Sequence, residues 1–231
     1  MKLPRENLTN IPLLALLSAN AIPLIGVLFL KWDVFFIVLL YWAENLAVGF
    51  YNVLKMAFAK ITIPIEHLAK LFMIPFFVIH YGGFTAVHGF FVLSIFSKDK
   101  QGPPIIGSKQ WPCFLVFVQM LFNVVRHILL TIPPTVRLAV LLLFVSHGIS
   151  FVYNYFVKGE FANARIKDLM GQPYGRVFVM HITIIAGGFG LMVLGSPVAL
   201  LLVLIILKTM IDVKLHLREH KKAGEAGISL S

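Results

Sequence analysis

Residues 34–56 read VFFIVLLYWAENLAVGFYNVLKM. This run is apolar and long enough to cross a bilayer as a helix, at about 1.5 Å per residue. Glu44 sits near its middle. Of the acidic residues, it alone falls deep inside an apolar run. A carboxylate at that depth costs on the order of 3 kcal/mol unless it is protonated, paired or bound to a metal. The stretch therefore fixes a membrane helix and, within it, a group that needs a partner.

Other runs extend the pattern on both sides. The chain has 231 residues, of which 59% are hydrophobic and 13% charged. A soluble domain carries about 25% charged residues. Continuous runs, rather than short alternating segments, exclude a membrane barrel. The sequence predicts an all-α, polytopic transmembrane helix bundle. Seven spans are expected, at Ile11–Leu30, Val34–Met56, Leu71–Phe96, Trp111–Ile132, Thr135–Val157, Val177–Gly195 and from Ser196-Pro197 to about Met210. The alternative is six spans, with 111–132 as a re-entrant or interfacial helix. Arg126 and His127 near the end of that segment, before Pro133-Pro134, are what raise the alternative. One transmembrane domain over 1–217 and a polar tail over 218–231 are expected. The first run continues to Leu30, too long for a cleaved signal peptide, so it reads as a retained span.

The net charge is +10. The basic residues lie in the loops and at the C-terminus, facing anionic headgroups, so the bilayer is the expected partner and nucleic acid is not. Their distribution puts the C-terminus in the cytoplasm for either span count. The sequence leaves the oligomeric state open. Cys113 is the single cysteine, which excludes an intramolecular disulfide and a thiolate metal cage.

His80, His88, His147 and His181 lie inside other runs. Counted from the cytoplasmic ends of their spans, Glu44, His88, His147 and His181 fall within roughly 8 Å of one another in depth. His80 lies about 12 Å farther toward the outside than His88. Three imidazoles and a carboxylate at one level make a divalent metal site, for zinc or iron. Glu44 is then a fourth ligand or the base for a metal-bound water. Asn45, Ser146, Ser150, Asn154 and His80 are the candidates for orienting the ligands. Ser146, Ser150 and Asn154 form a polar stripe at four-residue spacing. The same groups can instead form a hydrogen-bonded network that only fixes the bundle. Haem held by His80 with His147, or by His88 with His181, is a further alternative.

A second polar set lies toward the cytoplasmic edge. Lys208, Asp212 and His216 repeat every four residues, and Arg176 precedes the sixth span. They suit the anionic head of a lipid or amphiphile, or simply an interfacial ion pair. These features together predict a metal-dependent membrane enzyme acting on an amphiphile. The alternative class is a proton-coupled transporter or channel using the buried Glu and His groups.

The segments YWAENLAVGFYNVLKM from Tyr41, HYGGFTAVHGFF from His80, SHGISFVYNY from Ser146, PYGRVFVMH from Pro173 and LKTMIDVKLH from Leu207 resemble an uncharacterised family of bacterial integral membrane proteins. The resemblance implies a multi-pass protein of the bacterial inner membrane. It also implies that Glu44, Asn45, His80, His88, His147, Asn154, His181, Lys208, Asp212 and His216 belong to the family pattern. It implies no reaction.

Overall fold

Val34–Phe58 forms a single 25-residue helix, α1. Its apolar side chains carry it about 37 Å, enough to cross hydrocarbon. The computed structural model describes residues 29, 32–60, 64–96, 109–162, 164–194, 205–207 and 209–210. Contacts divide the chain into two units, Phe35–Ile184 and Met1–Val34 with Ile185–Ser231. The helix contacts and the candidate site belong to Phe35–Ile184. Of the expected span at 11–30 only Phe29 is described, most of the expected span at 196–210 lies outside the described residues, and so does the boundary at 217 and 218. No strand occurs among the described residues.

The second helix, α2, runs Pro64–Phe96 with Pro75 inside it. It starts before Leu71, so His67 and Lys70 are helical where a polar loop was expected. Proline suits a first helical position, because its missing N–H would go unpaired there in any case. Lys70 has a task at this end. Its ammonium donates to the carbonyls of Ala57 (2.8 Å) and Ala59 (2.7 Å), capping the exit of α1.

Leu115–Thr131 forms α3, 17 residues and about 25 Å long. Buried Gln119 secures its entry, accepting from the Trp111 N–H (2.9 Å) and donating to the Lys109 carbonyl (2.6 Å). Pro134–Phe151 forms α4 and continues as a π-helical stretch over Val152–Val157. The expected loop at 158–176 holds a single 3₁₀ turn, Glu160–Ala162, and a short helix α5, Ile166–Gly171. The last helix, α6, begins at Tyr174 and runs to Leu194. Among the described residues, three helical segments are long and apolar enough to cross a membrane: Val34–Phe58, His67–Phe96 and Pro134–Val157.

Contacts give the helix directions. Trp42 meets Thr85 and Gly89, Asn45 meets Tyr81, and Ala59 meets Lys70, so α1 and α2 are antiparallel. Tyr51 meets Phe144, Lys55 meets Tyr155 and Phe58 meets Phe156, so α1 and α4 run the same way. His80 meets Tyr174 and His88 meets His181, so α2 and α6 run the same way. The turn after α1 is bonded to the turn after α4, with the Lys60 N–H donating to the Phe161 carbonyl at 3.0 Å. Seven alternating crossings would put those two turns on opposite faces. α3 instead starts beside the middle of α2, where Phe117 covers Gly83, and ends where α4 starts.

Below this frame Met56, Ala59, Phe77, Tyr81, Ile166, Leu169 and Val177 pack into one buried cluster. It pulls α5 against α1, and Asn52 fastens it by donating to the Leu169 carbonyl at 2.9 Å. The break between α5 and α6 therefore lies within the bundle, alongside α1.

Candidate functional site

Two polar contacts in the middle of the helices hold α1 on α2, and a third bond, within α2, braces them. The Trp42 indole N–H donates to the Thr85 carbonyl (2.8 Å), and the Tyr81 hydroxyl donates to the Asn45 carbonyl (2.9 Å). Thr85 in turn donates back to the Tyr81 carbonyl (2.9 Å). These bonds fix the rotation of α1 about its axis. Glu44 is thereby aimed at the start of α6.

There it meets Arg176. Nη1 of Arg176 donates to Oε1 of Glu44 at 2.6 Å. The Glu44 side chain is 19% exposed and that of Arg176 41%. Arg176 lies in the first turn of α6, where the helix dipole disfavours a cation and favours an anion. The Glu44 carboxylate supplies that anion. The phenols of Tyr41, Tyr81 and Tyr174 surround the pair closely enough for the charges of Glu44 and Arg176 to act on the Tyr81 hydroxyl.

The histidines divide into separate contacts. His80 Nδ1 and the Tyr174 hydroxyl are 2.8 Å apart, and the His80 ring stacks on Phe76. His88 donates from Nδ1 to the Phe84 carbonyl (2.7 Å), because a carbonyl only accepts. Its Nε2 is 3.2 Å from Nδ1 of His181, with the rings nearly perpendicular. His147, on α4, donates from Nδ1 to the Leu143 carbonyl (3.0 Å).

Among the described residues no three His, Cys, Asp or Glu side chains gather closely enough to hold a metal ion. The expected quartet of Glu44, His88, His147 and His181 is thus not assembled. Only His88 and His181 touch. Trp42, two residues before Glu44, packs on Thr85 and Gly89, which flank His88. Depth alone does not bring side chains together; rotation about each helix axis decides that. On α6, Arg176 and His181 are five residues, about 7.5 Å, apart. The pair expected as a haem alternative, His88 with His181, stands with its ring nitrogens 3.2 Å apart.

Of the groups expected to orient ligands, Asn45 donates to the Tyr41 carbonyl (2.9 Å), and its Oδ1 is buried without a partner among the described residues. Asn154 donates to Ser150 (3.1 Å) within α4, and Ser146 and Ser150 are exposed. Lys208, Asp212 and His216 lie outside the described residues. Sequence reasoning missed Tyr174 and Tyr81 as members of the site. Both stand in the segments PYGRVFVMH and HYGGFTAVHGFF, next to the charged and imidazole residues it did select.

Residues 2–229 match a family of unknown function, DUF6498. The chain belongs to that family. No curated protein and no solved structure matches it. The family match covers every residue of the site, while the chemistry must be argued from the geometry.

Proposed function

We propose that this member of the family is a proton-coupled membrane carrier for an anionic amphiphile, with Glu44 and Arg176 as its switch. The observation that carries this reading is the 2.6 Å ion pair between the middle of a spanning helix and the first turn of a helix that begins inside the bundle. Broken helices whose half-helix N-termini lie at depth are a recurring way to bind an anion in carriers. A proton neutralises Glu44, and Arg176 then exchanges that carboxylate for the anionic group of the cargo. Loss of the proton restores the pair and expels the cargo. The metal-dependent enzyme reading needs Glu44 as a ligand or as the base for a metal-bound water, and the ion pair with Arg176 favours the carrier.

The test uses proteoliposomes loaded with a pH-sensitive dye, acid outside, challenged with decanesulfonate or octyl phosphate. Decanesulfonate stays ionised, so it carries no proton across lipid unaided. Acidification of the lumen by the wild-type protein, absent with Glu44→Gln and in protein-free liposomes, is the expected result. Equal acidification in all three overturns the proposal.

We infer further that the chain makes six full crossings of a bacterial plasma membrane, with 111–132 re-entrant and the C-terminus cytoplasmic. The Lys60–Phe161 hydrogen bond and the shortness of α3 support the count, and the distribution of basic residues supports the orientation. With Cys113→Ser as background, single cysteines at Lys60 and Lys158 are expected to react with an impermeant maleimide from the same, cytoplasmic, face. Labelling from opposite faces would restore seven spans.

A further inference from the structure

We propose that His88 and His181 form a two-histidine site for a divalent transition metal, separate from the Glu44–Arg176 pair. Two features of the contact point beyond an ordinary hydrogen bond. The first is the tautomer. His88 is locked by its Nδ1–H bond to the Phe84 carbonyl at 2.7 Å, which leaves the Nε2 lone pair directed at His181. A backbone carbonyl on the other ring nitrogen is the usual support of a metal-bound imidazole. The second is the spacing. Two nitrogens bound to one tetrahedral zinc at 2.0–2.1 Å stand about 3.3 Å apart. The observed separation is 3.2 Å, so the two nitrogens already stand at the spacing of a shared ion, and each ring has only to turn by about 35° to aim its lone pair at it.

The surroundings suit partial coordination by protein. His88 is 3% exposed and rigidly placed, whereas His181 is exposed, so the metal's remaining positions are open on that side. Without metal, the neutral pair shares one hydrogen bond, donated by Nδ1 of His181. On binding, that proton moves to Nε2 of the same ring, on its open edge. Both imidazoles stay neutral and no net proton is released. Imidazole ligation with the remaining positions open fits zinc, copper or nickel better than the hard ions magnesium and calcium.

The full chain, purified without a polyhistidine tag in detergent micelles, is titrated with Cu²⁺ and followed by electron paramagnetic resonance. His216→Ala with His220→Ala is the background, because that four-residue pair could bind metal by itself. One equivalent of copper with hyperfine splitting from two nitrogens is expected. His181→Ala should weaken binding by at least about 10-fold and remove one nitrogen from the spectrum. His147→Ala should change neither. His181 is exposed, so its replacement tests the site even if His88→Ala misfolds. Failure to bind one equivalent, or unchanged affinity in His181→Ala, overturns the site and leaves the Glu44–Arg176 proposal standing.

Discussion

Arg176→Met lowers the free energy of unfolding by about 2 kcal/mol, between the values for an exposed and a fully buried ion pair. Glu44 is the more buried of the two, at 19% exposure against 41%, and loses the guanidinium that faces it in the middle of α1. Glu44→Gln costs less. Its amide still accepts a hydrogen bond, and the long arginine side chain can redirect its charge toward polar surroundings. The double variant Glu44→Gln with Arg176→Met recovers most of the loss, because no buried charge remains. Denaturant titration of the four proteins in the same detergent gives the coupling. A coupling energy below about 0.5 kcal/mol would show that the pair neither holds the start of α6 nor can act as its switch.

Gly89→Ala is the second large effect, expected at about 2 kcal/mol of destabilisation. A methyl group at Gly89 would stand 2.7 Å from the Trp42 indole. The indole is 2% exposed and is tied to the Thr85 carbonyl, so it cannot retreat without losing that bond. Gly82→Ala serves as the control. There the new methyl would meet Leu121 at 3.5 Å, an ordinary contact. Replacing glycine in a helix is then neutral or stabilising, by up to about 1 kcal/mol. Equal thermal stability of the two variants would show that the α1–α2 approach at Trp42 is not tight. The same displacement would turn α1 and move Glu44 away from Arg176, so Gly89→Ala should also reduce cargo-driven acidification.

Much of this arrangement was legible in the residues. The apolar run around Glu44 becomes α1 with the expected start at Val34. Trp111–Ile132 yields a shorter helix, because residues 111–114 form the turn that Gln119 secures. The need of Glu44 for a partner was also legible, and Arg176 stood among the selected residues. Their pairing was not. It depends on α5 being drawn against Met56, Ala59 and Phe77, which starts α6 inside the bundle rather than at its edge.

Taken by itself, the sequence determined that helices form and, among the described residues, roughly where they start and stop. These quantities follow from local hydrophobicity and from a fixed rise per residue. Only the tertiary structure decided which polar groups meet. Rotation of a helix about its axis and the end at which the next helix enters are set by contacts between distant residues, such as Trp42 with Thr85 and Lys60 with Phe161. Side-chain partners change with a turn of about 100° that leaves depth unaltered, and for that reason Glu44 meets Arg176 while His88 meets His181.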